Sequence, residues 1–296
     1  MAPKIGKAAV TGAGGMLGFE MVKALELHAE QTLAWDRAAL DVTDLEAVLA
    51  RFRETRPEAV VHAAAYTKVD QAEAEPDAAF RVNAIGARNV ALAAAEVGAK
   101  MVYVSTDYVF PGTSGTPYCE YEETSPVNVY GDSKRAGEWM AAGLLEELFI
   151  VRTSWLYGEH GPNFVRTMLK LAEKGEPIRV VGDQIGCPTY AADVAETIVR
   201  LLRTDKYGTY HAANSGACSW YEFAERIFGL TGISADLSAV TSEQFKRPAA
   251  RPAYSVLDSM ALRINGFPPM RAWEDALKEF LYRQRLLRRE SRPIEC

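Results

Sequence analysis

The sequence predicts an α/β fold, a Rossmann-type doubly wound parallel sheet followed by a smaller, less regular C-terminal region. Three observations carry that expectation. Short apolar runs alternate with longer helix-forming segments, a glycine cluster follows the first run and opens the first helical pattern, and an aspartate ends the second run. Strands covered by helices on both faces read as unbroken apolar runs, and strands alternating with helices make a parallel sheet.

Taken in order, the strand candidates are Ala8-Ala9-Val10, Thr32-Leu33-Ala34-Trp35, Ala59-Val60-Val61-His62, Met101-Val102-Tyr103-Val104 and Phe149-Ile150-Val151. Between them, the segments near 16–29, 43–55, 77–97 and 130–147 are rich in Ala, Leu, Glu and Arg, which favour helix. Asp41 to Asp44 and Pro76 to Asp77 supply helix starts. His62, ending an apolar strand, reads as a core histidine with its hydrogen bonds satisfied. After Thr153 the texture changes, with glycine, proline and aromatic residues in Trp155-Leu156-Tyr157-Gly158 and in Gly182 to Thr189. The last segment, Leu277 to Arg292, reads as a basic helix with a solvated face.

Composition excludes several function classes. The chain has 296 residues and a formal charge of -6, with 48% hydrophobic and 24% charged residues. Those values match ordinary globular domains rather than disordered or coiled-coil chains, and the acidic balance argues against nucleic-acid binding. Cys119, Cys187, Cys218 and Cys296 lie far apart, and the four histidines lack ligand spacing, so no metal ligands are assigned. Lys4 and Lys7 precede an apolar run of only Ala8-Ala9-Val10, too short for a signal peptide, and no window approaches the ~20 apolar residues of a membrane span. The expectation is a cytoplasmic protein with no membrane or nucleic-acid partner.

Gly12, Gly15 and Gly18 form a G-x-x-G-x-x-G run between the first strand and the first helix, with Met16 and Leu17 opening that helix. Missing side chains let the backbone approach a pyrophosphate, whose charge meets the N–H groups of the helix N-terminus. Asp36, 18 residues beyond Gly18, is placed to accept from ribose hydroxyls and favour NAD, whereas Arg37 beside it could pair with a 2′-phosphate and favour NADP. The sequence leaves that choice open. Asp41 and Val42 extend the cofactor-binding candidates. The expected division is therefore an NAD(P)-binding domain over 1–153 and a mainly substrate-binding region over 154–296, with segments returning to the first domain.

Tyr130 and Lys134 form a Y-x-x-x-K pair at helical spacing, which brings both side chains to one face. A free phenol has a pKa of ~10, and a neighbouring ammonium favours its phenolate, so the pair is expected to act as a tuned acid–base couple. Ser105-Thr106-Asp107 lies upstream at the C-terminal end of a strand, where α/β folds place their ligands. Thr106 there could hold a carbonyl while Tyr130 delivers a proton.

With these motifs the chain resembles the extended branch of the short-chain dehydrogenase/reductase superfamily and, within it, the dTDP-4-dehydrorhamnose reductases. The resemblance rests on Thr11 to Gly18, Ala63 to Asp70, Asn83-Ala84, Ser105 to Phe110, Tyr130 to Lys134, Arg152 to Gly158, Gly182 to Thr189, and Arg251-Pro252 with Ser255. It implies that Thr106, Tyr130 and Lys134 are catalytic and that Ala63, Ala64 and Ala65 line the nicotinamide ribose, with Asn83 supporting the cofactor floor. It also implies reduction of the C4 keto group of a dTDP-4-keto-6-deoxy sugar by a monomer or homodimer. Adjacent Asp36 and Arg37 lead to the expectation that NADPH is used modestly ahead of NADH, with NADH accepted too. Pro111 departs from the acidic residue expected there, which puts substrate detail in doubt. Some relatives carry Mg²⁺ at a dimer interface, but no ligands for it are assignable in this sequence.

For a nucleotide-sugar substrate the candidate contacts are Thr106, Asp107 and Tyr130 at the carbonyl, Trp155 and Asn163 near the sugar or base, and Arg251 at the diphosphate. Arginine offers a planar fork for phosphate oxygens. Two rival readings share the fold. A 4,6-dehydratase or epimerase would need further acid–base groups, typically an Asp-Glu pair after the catalytic Thr, where this chain has Asp107-Tyr108. A noncatalytic NADP-binding regulatory subunit would not require Thr106, Tyr130 and Lys134 together.

Overall fold

A computed structural model describes residues 4–286. Its N-terminal part runs β1 (Ile5–Thr11), α1 (Met16–His28), β2 (Ala29–Trp35), α2 (Leu45–Thr55), β3 (Ala59–His62), α3 (Val69–Ala74), α4 (Pro76–Phe80), α5 (Gly86–Val97), β4 (Lys100–Thr106), α6 (Val129–Ala142) and β5 (Leu148–Thr153). All five expected strands form. They lie parallel in the order β5-β4-β3-β1-β2, and a sixth strand, Gly208–His211, adds parallel to β5 at the edge. The chain crosses from β2 over β1 to β3, so the winding direction reverses between β1 and β3. Ligands of open α/β sheets bind at such a reversal, beyond the carboxyl ends of the strands.

Alternation along the strands builds two apolar layers. Val10, Val61, Val102 and Val151 face α1 and α8 (Ala191–Leu202), packing with Leu17, Met21, Val194 and Ile198. Ala9, Val60, Met101 and Ile150 face the other way, against Phe52 of α2, Val90 of α5 and Ala141 of α6. The C-terminal half thus contributes a helix and an edge strand to the main sheet. Its own core gathers Tyr157, Tyr190, Phe223 and Phe280 around α7 (Phe164–Ala172), α9 (Trp220–Thr231) and α11 (Trp273–Arg283), with α10 (Met260–Ile264) packed on the main sheet.

The C-terminal basic helix differs from its expectation. It begins at Trp273 and buries Ala276, Leu277, Phe280 and Leu281, so the charges of Lys278 and Arg283 ride on the outer side of a core helix. The expected extension to Arg292 lies partly outside the described residues.

Candidate active site

The glycine loop is shaped by close approach. Gly12 has φ +68°, and a Cβ on it would stand 2.6 Å from the Ala64 backbone; one on Gly18 would stand 2.1 Å from the Gly12 carbonyl oxygen. Both positions exclude side chains for reasons internal to the fold. Gly15 is different: its only close neighbour is the Gly12 carbonyl oxygen at 3.2 Å, and it faces the cleft as the N-cap of α1. No side chain caps α1. Its first-turn N–H groups therefore form an anion site of the kind a pyrophosphate occupies.

From this loop a cleft of about 1070 Å³ runs over the carboxyl ends of β1, β3 and β4. Gly12, Gly15, Met16, Leu17, Gly18, Asp36, Arg37, Asp41, Val42, Ala63, Ala64, Ala65, Thr106, Asp107, Tyr130, Lys134 and Trp155 all line it. That volume accommodates a dinucleotide and a second ligand. Asp36 and Arg37 are both exposed at its far end, and Asp36 accepts from the Ala39 N–H at 2.8 Å, which leaves its other oxygen for a ligand. Asp41 accepts from both the N–H and the hydroxyl of Thr43, which hold its carboxyl below the usual range.

At the other end, α6 presses against the end of β4. Asn128 caps α6 by accepting from Gly131 N–H at 2.8 Å, which sets Tyr130 in the first turn. The approach depends on two glycines: a Cβ on Gly131 would meet the Tyr108 carbonyl oxygen at 2.2 Å, and one on Gly137 would meet the Tyr103 hydroxyl at 2.3 Å. Tyr130 and Thr106 share a side-chain hydrogen bond. The Thr106 hydroxyl donates to Asp107 Oδ1 at 3.0 Å and accepts from the Tyr108 N–H at 3.2 Å. Lys134 Nζ donates to the Val104 carbonyl at 2.6 Å and lies 4.1 Å from the Tyr103 ring centre.

The electrostatics of this corner are governed by burial. Removal from water pushes the Tyr130 phenol up to about 12, with the Thr106 hydrogen bond opposing, and pulls the Lys134 ammonium down to about 7, with Glu138 opposing. The expected lowering of the phenol by Lys134 does not appear: burial and Asp107 raise it, and only the Thr106 hydrogen bond opposes them. Tyr130 is a fully protonated donor at neutral pH. Desolvation likewise raises Asp107 to about 7, and its Oδ2 has no hydrogen-bond partner among the described residues.

Asn83 lies in a π-helical turn, Arg81–Ile85, between α4 and α5. Its side chain accepts from Tyr66 N–H and donates to Tyr66 O and Ser133 Oγ, tying the segment after β3 to α6. His62 is buried and held neutral, near 3, by desolvation. Its Nδ1 pairs with Thr11 Oγ1 at 2.7 Å, but Nε2 has no partner among the described residues, so the core histidine is only half satisfied.

Two candidates stand outside the cleft lining. Asn163 is a helix cap: it accepts from Arg166 N–H at 3.0 Å and donates to the Gly158 carbonyl at 2.9 Å, leaving its amide engaged within the fold. Arg251 is held by Asp70 at 2.5 Å and by the Ala249 carbonyl. It also bonds the Tyr108 hydroxyl, and Tyr108 does line the cleft. Trp155 is in the cleft, at φ +45° and stacked 3.5 Å from Trp220. A non-glycine residue held at positive φ is strained, and such strain is often kept at ligand sites. Sequence reading missed Tyr66, Tyr108, His160 and Trp220, all of which line the cleft. Tyr66 and Tyr108 lie inside blocks that carried the resemblance but were given no site role, whereas nothing near Trp220 in the chain signals it.

The model of the RmlD substrate binding domain family matches residues 6–286. The chain is 44% identical to the spore coat polysaccharide biosynthesis protein SpsK of Bacillus subtilis, over 93% of this chain and 96% of that protein. It is also 44% identical to a dTDP-4-dehydrorhamnose reductase of Streptomyces griseus, over 91% of each. Among solved structures, the dTDP-4-dehydrorhamnose reductase of Bacillus anthracis in complex with NADP is similar with a TM-score of 0.92 and 47% identity, over 94% of this chain and 99% of that one.

Proposed function

The chain belongs to the RmlD substrate binding domain family, and from that premise we propose that it is an NADPH-dependent oxidoreductase that reduces the C4 keto group of dTDP-4-dehydro-β-L-rhamnose to dTDP-L-rhamnose, a precursor of cell-surface polysaccharide. The observation that carries the proposal is the convergence of Thr106, Tyr130 and Lys134 at one end of a cleft whose other end is an uncapped helix N-terminus behind a glycine loop.

The residues present fit a dinucleotide. Gly12, Gly15, Met16, Leu17 and Gly18 would hold its pyrophosphate, Asp36, Arg37, Asp41 and Val42 its adenosine end, and Ala63, Ala64, Ala65, Tyr130 and Lys134 its nicotinamide riboside. When bound, NADPH supplies the hydride. Arg37 at the ribose favours NADPH, and the neighbouring Asp36 carboxylate supports some use of NADH.

Thr106 and Tyr130 hold the substrate carbonyl between their hydroxyls. As negative charge grows on the carbonyl oxygen, Tyr130 transfers its phenolic proton to it and the C4 alcohol forms. Even near 12 a phenol is a stronger acid than an aliphatic alcohol, so transfer to the alkoxide runs downhill. The Tyr130 phenolate left behind is stabilised by Lys134, whose ammonium then restores the proton. Asp107 and Trp155 bound the sugar. Arg251 would have to exchange Asp70 for a diphosphate oxygen.

No helix among the described residues is long and apolar enough to cross a membrane. A cytoplasmic location, and a monomer or homodimer, complete the proposal. The test is NADPH oxidation followed at 340 nm with a panel of dTDP-4-keto-6-deoxy sugars. The proposal expects turnover with dTDP-4-dehydro-β-L-rhamnose above the others, and no oxidation with any of them would reject it.

A further inference from the structure

One stripe of α6 is bonded to three successive residues of β4. Tyr130 meets the Thr106 side chain, Lys134 donates to the Val104 carbonyl, and Glu138, one turn further on, accepts the Ser105 hydroxyl at 2.5 Å. Tyr130, Lys134 and Glu138 are spaced i, i+4, i+8 and share a face. Glu138 is buried and lies beneath the site just described, where nothing in the proposed reaction has used it. Its second partner is Arg152 of β5, bonded through Nε at 2.9 Å and Nη2 at 2.7 Å and also buried. Ser105 and Arg152 are direct cross-strand partners in the β4–β5 register, so one carboxylate grips both strands.

We infer that Glu138 is a positioning residue for the proposed reaction: it clamps the Thr106 end of β4 to α6 through Ser105 and supplies the buried negative charge against which Lys134 is held as an ammonium. Arg152 keeps that carboxylate paired, since a lone buried charge is far more costly than a bonded pair. Other groups face Lys134. His62 on β3 is neutral and Tyr103 on β4 stays a phenol, both through burial. On α6 itself Tyr130 is protonated, and beyond β4 Asp107 reaches it through Thr106 and Tyr130. Arg152 lies on the far side of Glu138. Among these, Glu138 is the only carboxylate that raises the Lys134 affinity for its proton.

The inference rests on the reductase reading for its consequence in turnover but not for its first measurement. In the empty chain carrying ¹³Cε-lysine, the resonance absent from Lys134→Ala reports the titration of Lys134. It should have its midpoint near neutrality, and in Glu138→Gln/Arg152→Met the midpoint should fall by about one pH unit or more. The double substitution removes the Glu138–Arg152 pair as a unit, so neither member is left as a lone buried charge, and Lys134 can meet the loss by giving up its proton. Ser105→Ala should leave the midpoint in place yet lower kcat about tenfold with KM for the keto sugar little changed, because it loosens only the strand end. In the active enzyme the alkaline limb of the Glu138→Gln/Arg152→Met rate profile should shift down with the midpoint. An unmoved Lys134 midpoint in the folded double variant overturns the charge assignment, and wild-type kcat in Ser105→Ala overturns the clamp. A wild-type chain that oxidises no NADPH refutes the reductase reading while the lysine titration still decides the role of Glu138.

Discussion

Replacing Tyr130 by Phe removes one hydroxyl and leaves the rest of the corner standing. The ring keeps its edge contact with Tyr108, at 5.9 Å between centres. Thr106 loses one partner of three and retains the Asp107 carboxylate and the Tyr108 N–H, so no buried polar group is orphaned. Folding and cofactor binding should therefore be nearly unchanged. Because burial holds the phenol near 12, essentially every wild-type molecule at pH 7 carries the proton to be donated. The variant then loses the whole of the general-acid contribution, on the order of 10²- to 10⁴-fold in kcat, or about 2.7 to 5.4 kcal/mol of barrier. The assay is single-turnover NADPH oxidation with saturating dTDP-4-dehydrorhamnose, alongside calorimetric NADPH binding. A folded variant that binds NADPH normally and keeps near-wild-type turnover would show that Tyr130 is not the acid.

Gly15→Val should fold, since only one backbone atom crowds the new Cβ, yet lose NADPH affinity in calorimetry because the branch fills the pyrophosphate approach; unchanged affinity would remove the loop from the cofactor site. Arg37→Ala should reduce kcat/KM for NADPH by about 10- to 150-fold, roughly 1.5 to 3 kcal/mol for one charged hydrogen bond, with little change for NADH; equal losses would show that Arg37 does not read the 2′-phosphate. Asp107 is raised from 3.8 to about 7 by burial, so the folded chain binds its proton more tightly than the unfolded chain does. Its contribution to stability is full below 3.8 and is lost as pH rises through about 7. Urea midpoints of wild type minus Asp107→Asn should therefore decline from pH 4 to pH 7, and a flat difference would place the carboxylate in water.

The first five strands were legible because both faces of each are buried, which forces continuous apolar runs such as Ala59 to His62. The glycine loop and the Tyr130–Lys134 pair were legible because their spacings are local. The sixth strand was not, since Gly208-Thr209-Tyr210-His211 has no apolar run and is placed by pairing with β5. Charge misled in two places. Lys278 and Arg283 suggested a solvated helix while Leu277, Phe280 and Leu281 carried the core contact, and the buried Glu138–Arg152 pair left no local signal because a helix and a strand bring its partners together. The capping role of Asn163 was not legible because it depends on where α7 begins, which is the least readable feature of a helix. Trp155 was found from its motif, but its stacking on Trp220, 65 residues away in the chain, is a product of tertiary packing.

The central claim is that this cleft delivers hydride to C4 of a dTDP-linked keto sugar with Tyr130 as the proton donor, and isotope transfer tests it most directly. The enzyme would be incubated with NADPH deuterated at the reactive nicotinamide position and dTDP-4-dehydrorhamnose, and the product examined by NMR and mass spectrometry. The account predicts dTDP-L-rhamnose one mass unit heavier, with deuterium at C4 alone. Deuterium at another carbon, or a product formed without label, would contradict it.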